Sequence, residues 1–161
     1  MRNLATQTAV LGLLALTTML GGCGSSTPAT LTAADGTWES ALIGPGSGDA
    51  VFNFITSFSV DGTGGLSISY ISFLTTGPCF PISGNTAGGT FVVTATGTTP
   101  TADFGFTVQS GGSSLALTGT ATGTTDTSGT TTWSSITGTW TLTGGDPCTG
   151  SGTFTMTRTG G

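Results

Sequence analysis

Between residue 36 and the C terminus, apolar side chains recur at every second position, in short runs separated by glycine, proline and aspartate. A period of two puts successive apolar residues on one face of an extended chain and the intervening ones on the other. Phe52, Phe54, Phe58 and Val60 show it, as do Phe104, Phe106 and Val108, and Ile136, Trp140 and Leu142. No segment of this region carries the period of a helix. A disordered threonine-rich stalk would lack the alternation, so an all-β domain is expected over residues 35–161.

Turn signals divide that domain into eight runs: Gly36 to Ile43, Ala50 to Val60, Leu66 to Phe73, Gly89 to Thr96, Ala102 to Gln109, Ser114 to Thr122, Thr132 to Thr143 and Ser151 to Thr159. Each proline after the first 34 residues falls between runs, where its missing amide costs no ladder bond. Short connections predict an up-and-down antiparallel barrel of about eight strands, with a two-sheet β-sandwich as the alternative. Sheet edges are ordinarily blunted by charge, lysine above all. This chain has no lysine, which favours a closed barrel without edges. The alternation places Leu66, Ile68 and Tyr70 inward. It leaves Val51, Ile55, Ile71, Phe73 and Val92, from the second to fourth runs, as an outer apolar patch suited to a partner or to self-association. The other fate of that patch is cover by the loop of residues 75–88, which carries Phe80 and Ile82.

The polar face is almost uncharged. The chain has 38 threonines and 29 glycines, seven Asp and Glu, and two cations, Arg2 and Arg158, for a formal net charge of −5. One arginine in the domain cannot neutralise a row of phosphates, so nucleic acid is excluded as a partner. Without histidine or lysine, neither Ser-His-Asp and Cys-His arrangements nor a Schiff base can be built. The usual zinc sites are equally out of reach. Six of the seven carboxylates fall at turns or strand ends, where aspartate serves turn geometry. Glu39 is the exception, and its parity places it on the outer, solvated face. Asp49 and Asp146 are the pair whose loops share an end, as a two-carboxylate hydrolase would need. The turns at Asp61 and Asp126 lack the ligand density of a calcium loop. No catalytic residue, metal or cofactor is expected.

Ahead of the domain, Met1-Arg2-Asn3 precedes an apolar run from Ala9 to Leu20, shorter than the ~20 residues of a spanning helix. Leu20-Gly21-Gly22-Cys23 closes the run and resembles the lipobox of bacterial lipoproteins. The resemblance implies that residues 1–22 are a signal peptide, that Cys23 carries a diacylglyceryl thioether and a third acyl chain, and that residues 23–34 are a flexible tether. Gly24 and Ser25 replace the aspartate associated with inner-membrane retention, so an outer-membrane location is expected. In that oxidising compartment Cys79 and Cys148 remain as one pair, in the loops after the third and seventh runs. A meander puts those loops at one end, and a structural disulfide closing about 70 residues is expected.

Two further resemblances bear on the domain. Gly36-Thr37-Trp38 at its start and Arg158 at its end resemble the closing device of lipocalins, in which a tryptophan packs beneath an arginine of the last strand. That likeness implies that the first and last strands are neighbours and that Trp38 and Arg158 meet. The lipobox, Pro78-Cys79-Phe80, and the ending from Gly138-Thr139-Trp140 through Cys148 to Gly152-Thr153-Phe154 resemble small Gly/Thr-rich lipoproteins of Acidobacteria, a group without an assigned activity. The expected role is a non-enzymatic structural or interaction domain, held to a membrane by its lipid and open to an envelope protein partner. The alternative is a lipocalin-like binder of a small apolar ligand that enters away from the tether, with Ala95, Gly119 and Ala121 leaving space inside.

Overall fold

A computed structural model describes residues 34–160 except 47 and 76. The expected signal peptide, Cys23 and most of the expected tether lie outside the described residues.

Eight antiparallel strands follow one another: β1 (Gly36–Ile43), β2 (Ala50–Val60), β3 (Leu66–Phe73), β4 (Thr86–Ala95), β5 (Thr101–Ser110), β6 (Ser113–Thr125), β7 (Thr131–Thr143) and β8 (Gly150–Gly160). They form one sheet in the order β3-β2-β1-β8-β7-β6-β5-β4. The first and last strands are neighbours, with Trp38 opposite Arg158 and Leu42 opposite Phe154. The ends of that order, β3 and β4, approach each other at a single bridge, Gly65 to Thr90, beside a hydrogen bond that the Phe91 amide donates to the Gly64 carbonyl (2.7 Å). The barrel is therefore nearly closed, with a seam between β3 and β4.

Most of the inward stripe is the one the alternation foretells. Trp38, Leu42, Phe54, Phe58, Phe91, Phe104, Phe106, Leu115, Leu117, Ile136, Phe154 and Met156 are all buried. Glu39 is exposed, on the outer face. Burying one large apolar side chain contributes about 1.5–3 kcal/mol, so this continuous interior is the main source of stability. It is filled by rings: Phe54 stacks on Phe106 at 5.9 Å, Phe106 on Phe104 at 5.9 Å, and Phe104 tilts onto Phe154 at 6.3 Å. Gly119 and Gly138 face each other across β6 and β7, and the Phe154 ring lies over both. The space expected at Gly119 is thus occupied, Ala121 is part of the packed core, and Ala95 is exposed.

β3 departs from its expected parity. Ile68 pairs with Phe58, but Tyr70 pairs with Ser57, so Ser69 is an extra residue in the ladder. One inserted residue swaps the faces of everything beyond it. Tyr70 consequently points out, 52% exposed, and Phe73 points in, 2% exposed. Ile71 is half-buried against the core. A second irregularity, at Ser134 in β7, brings both Trp133 and Ile136 inward although they are three residues apart.

Candidate functional site

Strand connections sort to two ends. The β1–β2, β3–β4, β5–β6 and β7–β8 loops lie at one end, here the distal end. The β2–β3, β4–β5 and β6–β7 turns lie at the other, with both chain termini.

The distal end is shut. Cys79 and Cys148 form a disulfide with Cα atoms 5.3 Å apart, joining the β3–β4 loop to the β7–β8 loop. Phe80, next to the bridge, is buried and stacks on Phe73 at 4.6 Å. Phe52 meets Phe73, Phe80 and Trp140 edge-on at 6.1–6.4 Å, and the Trp140 indole donates to the Ile43 carbonyl at 3.1 Å. Aromatic rings therefore close the mouth through which a lipocalin-like ligand was expected to enter. Outside this plug Val51, Leu74 and Ile82 are each about half exposed (46–49%).

The apolar patch read from the alternation does not form one surface. Phe73 is in the core and Ile71 leans on it, for the reason given by the Ser69 insertion. Ile55 is half-buried and Val51 and Val92 are exposed, but Val92 sits on β4, across the seam from β2 and β3. Phe80 does fold in, while Ile82 stays out.

The tether end is held by a set of bonds that alternation cannot reveal. The Trp38 indole donates to the Ala34 carbonyl (3.1 Å) and stacks on Phe58 at 5.9 Å. The Asp35 carboxylate accepts the Val60 amide (2.8 Å), and the Arg158 guanidinium donates to the Asp35 carbonyl. Trp38 and Arg158 thus flank the point where the chain enters the barrel, each bonded to a carbonyl of the entering segment. This fixes the path of Ala34 and Asp35 relative to the barrel base.

Two turns at this end share one design. At Asp61 the carboxylate accepts from the Thr63 amide, the Thr63 hydroxyl and the Gly65 amide (2.7–2.8 Å). At Asp126 it accepts from the Ser128 amide, the Ser128 hydroxyl and the Thr130 amide (2.6–2.9 Å). Each turn has a left-handed glycine three residues on, Gly64 and Gly129, both at φ 85°. These bonds favour the ionised form and hold both carboxyls below the ordinary aspartate value, the hydroxyls of Thr63 and Ser128 contributing most. Such a group stabilises the fold above its unfolded pKa, and that contribution is lost as pH falls through the lowered folded value. In urea titrations from pH about 6 to about 2, D61N/D126N is therefore expected to be less stable than wild type near neutrality, with the difference narrowing in acid. A constant difference would contradict this role. The bonds also occupy one oxygen of each carboxylate in turn geometry. No cluster of three or more metal-ligating side chains occurs among the described residues. Asp49 and Asp146 are exposed in the β1–β2 and β7–β8 loops.

Between the β4–β5 and β6–β7 turns lies an apolar cavity of about 360 Å³. Buried Trp133 and Pro100 and half-buried Val93 line it, together with Thr98, Thr125, Thr131 and Asp126. Phe91 backs the Trp133 ring edge-on at 4.9 Å. A shallower groove lined by Trp133, Ser134, Thr157 and Arg158 shares Trp133 with it. The sequence reading missed this cavity because the Ser134 irregularity hides Trp133 from a strict two-residue count.

No family model, curated protein or solved structure matches this chain. The fold is an eight-stranded antiparallel β-barrel, nearly closed, with a filled interior, a disulfide-locked distal end, and an apolar cavity at the end where the chain enters.

Proposed function

We propose that this is a lipid-anchored protein of the bacterial cell envelope, held at the outer membrane by acylated Cys23, whose barrel is a rigid non-enzymatic domain presenting its distal end to an envelope protein. The observation that carries the reading is polarity: both chain ends leave from the end opposite the Cys79–Cys148 bridge. An anchor at Cys23 therefore turns the disulfide-locked loops away from the bilayer. The outer face supports anchoring rather than spanning. Thr132, Ser134, Thr137, Thr139, Thr141 and Thr143 of β7 face out, and a barrel that crosses a membrane carries an apolar band there. Val51, Leu74 and Ile82 are large apolar side chains exposed at the distal end.

The anchor is tested by Cys23→Ser in the mature chain, exported behind an ordinary cleavable leader. One acyl chain binds a bilayer marginally, whereas two or three hold it stably. Wild type is expected in the membrane pellet and the variant in the soluble fraction. A variant that still pellets after a carbonate wash would contradict the reading.

A further inference from the structure

We propose that the apolar cavity at the tether end holds one acyl chain of the protein's own lipid anchor. The inference rests on the reading of Cys23 as lipidated.

Three features of the cavity select this occupant. Its volume, about 360 Å³, falls in the range of small-molecule sites, which runs from roughly 300 to 1,000 Å³. Trp133, Pro100 and Val93 in its lining offer hydrocarbon contact, and the threonines beside them supply no charge. Asp126 also lines it, its carboxylate kept ionised by three turn bonds, and no cation is found among the described residues that line the cavity. That combination repels the carboxylate of a free fatty acid and tolerates a chain whose head is an ester or amide.

The route from the anchor is on the same surface. Arg158 bonds the Asp35 carbonyl at the point where the chain enters the barrel and also lines the shallow groove, which shares Trp133 with the cavity. Cys23 lies eleven residues before Ala34, a length that extended reaches ~35 Å. A chain tethered this closely has an effective concentration on the order of millimolar, far above that of a free lipid. Seating one acyl chain in the protein leaves the rest of a multiply acylated anchor in the bilayer. The barrel base is then drawn down onto the membrane rather than floating at the end of a loose tether.

The test compares two forms of the mature chain: lipidated wild type in a lipid nanodisc, and unacylated C23S from the soluble fraction. The probe is 1-lauroylglycerol, kept below its aggregation concentration, and the readouts are saturable binding and the Trp133 indole NMR signal. Unacylated protein is expected to bind one equivalent with movement of the Trp133 signal, and to bind laurate at least tenfold more weakly. Lipidated protein is expected to bind the glyceride at least tenfold more weakly than C23S. T98W, in the exposed β4–β5 loop, fills the cavity and is expected to abolish binding, with T96W in the same loop as a second filling variant.

Absence of saturable binding to C23S would overturn the site. Equal binding by both forms would show the cavity open in the lipidated protein and overturn the anchor chain as its occupant. The mass of Cys23 in the wild-type sample reports lipidation separately, so an unmodified cysteine would identify failure of the anchor reading itself.

Discussion

Reducing the Cys79–Cys148 bridge, or replacing both cysteines with alanine, is expected to lower the stability of the barrel by about 4 kcal/mol. The bridge joins residues 69 apart, and cross-linking a loop of that size removes this much chain entropy from the unfolded ensemble. The bridge also sets the position of the β3–β4 loop, which delivers Phe80 to its stack on Phe73. This loop spans the two strands that meet at one bridge only, so it substitutes for the ladder missing from the distal half of the seam. Urea unfolding with and without reductant checks the prediction. A shift under 1 kcal/mol would show that the plug holds without the covalent link.

A comparable loss is expected from a single methyl group at the centre of the barrel. At Gly138 an added Cβ would stand 2.2 Å from the Thr118 carbonyl oxygen, 2.5 Å from the Gly119 Cα and 2.9 Å from the Phe154 ring. The first two contacts are with backbone, so no rotamer change relieves them; β6 and β7 must separate or the ring must leave the core. Overpacking of this kind costs roughly 1–3 kcal/mol and occasionally more, and G138A is expected at or above the upper figure. G112A, in an exposed turn with open space around the new methyl, is expected within about 0.5 kcal/mol of wild type. Equal midpoints for the two variants would contradict the account of the glycine pair. It would also reopen the interior as a ligand site, since Phe154 would then have room to move.

These two sites illustrate how far the sequence could be read. Strand number, antiparallel order and most of the inward stripe follow from side-chain parity and turn chemistry, both local properties of the chain. The disulfide follows as well, because a meander assigns loops to ends by counting. Parity failed where one residue was inserted, at Ser69 and at Ser134, since an insertion has no side-chain signature in a chain rich in serine and threonine. The first failure sent Phe73 to the core and dissolved the expected outer patch. The second concealed Trp133 and with it the cavity. Lack of lysine pointed to closure, but closure proved incomplete, with part of the gap filled by a loop. The bonds that fix the entering segment, from Trp38, Val60 and Arg158 to Ala34 and Asp35, involve backbone carbonyls and an amide that no residue pattern marks in advance.

The most direct test of the central claim, a filled barrel held to the envelope through Cys23, is the intact native mass of the protein extracted from its own membranes. The account predicts a chain of residues 23–161 carrying the mass of a diacylglyceryl group and an amide-linked acyl chain, with no separate small molecule bound. Retention of residues 1–22, an unmodified Cys23, or a stoichiometric non-covalent ligand would contradict it.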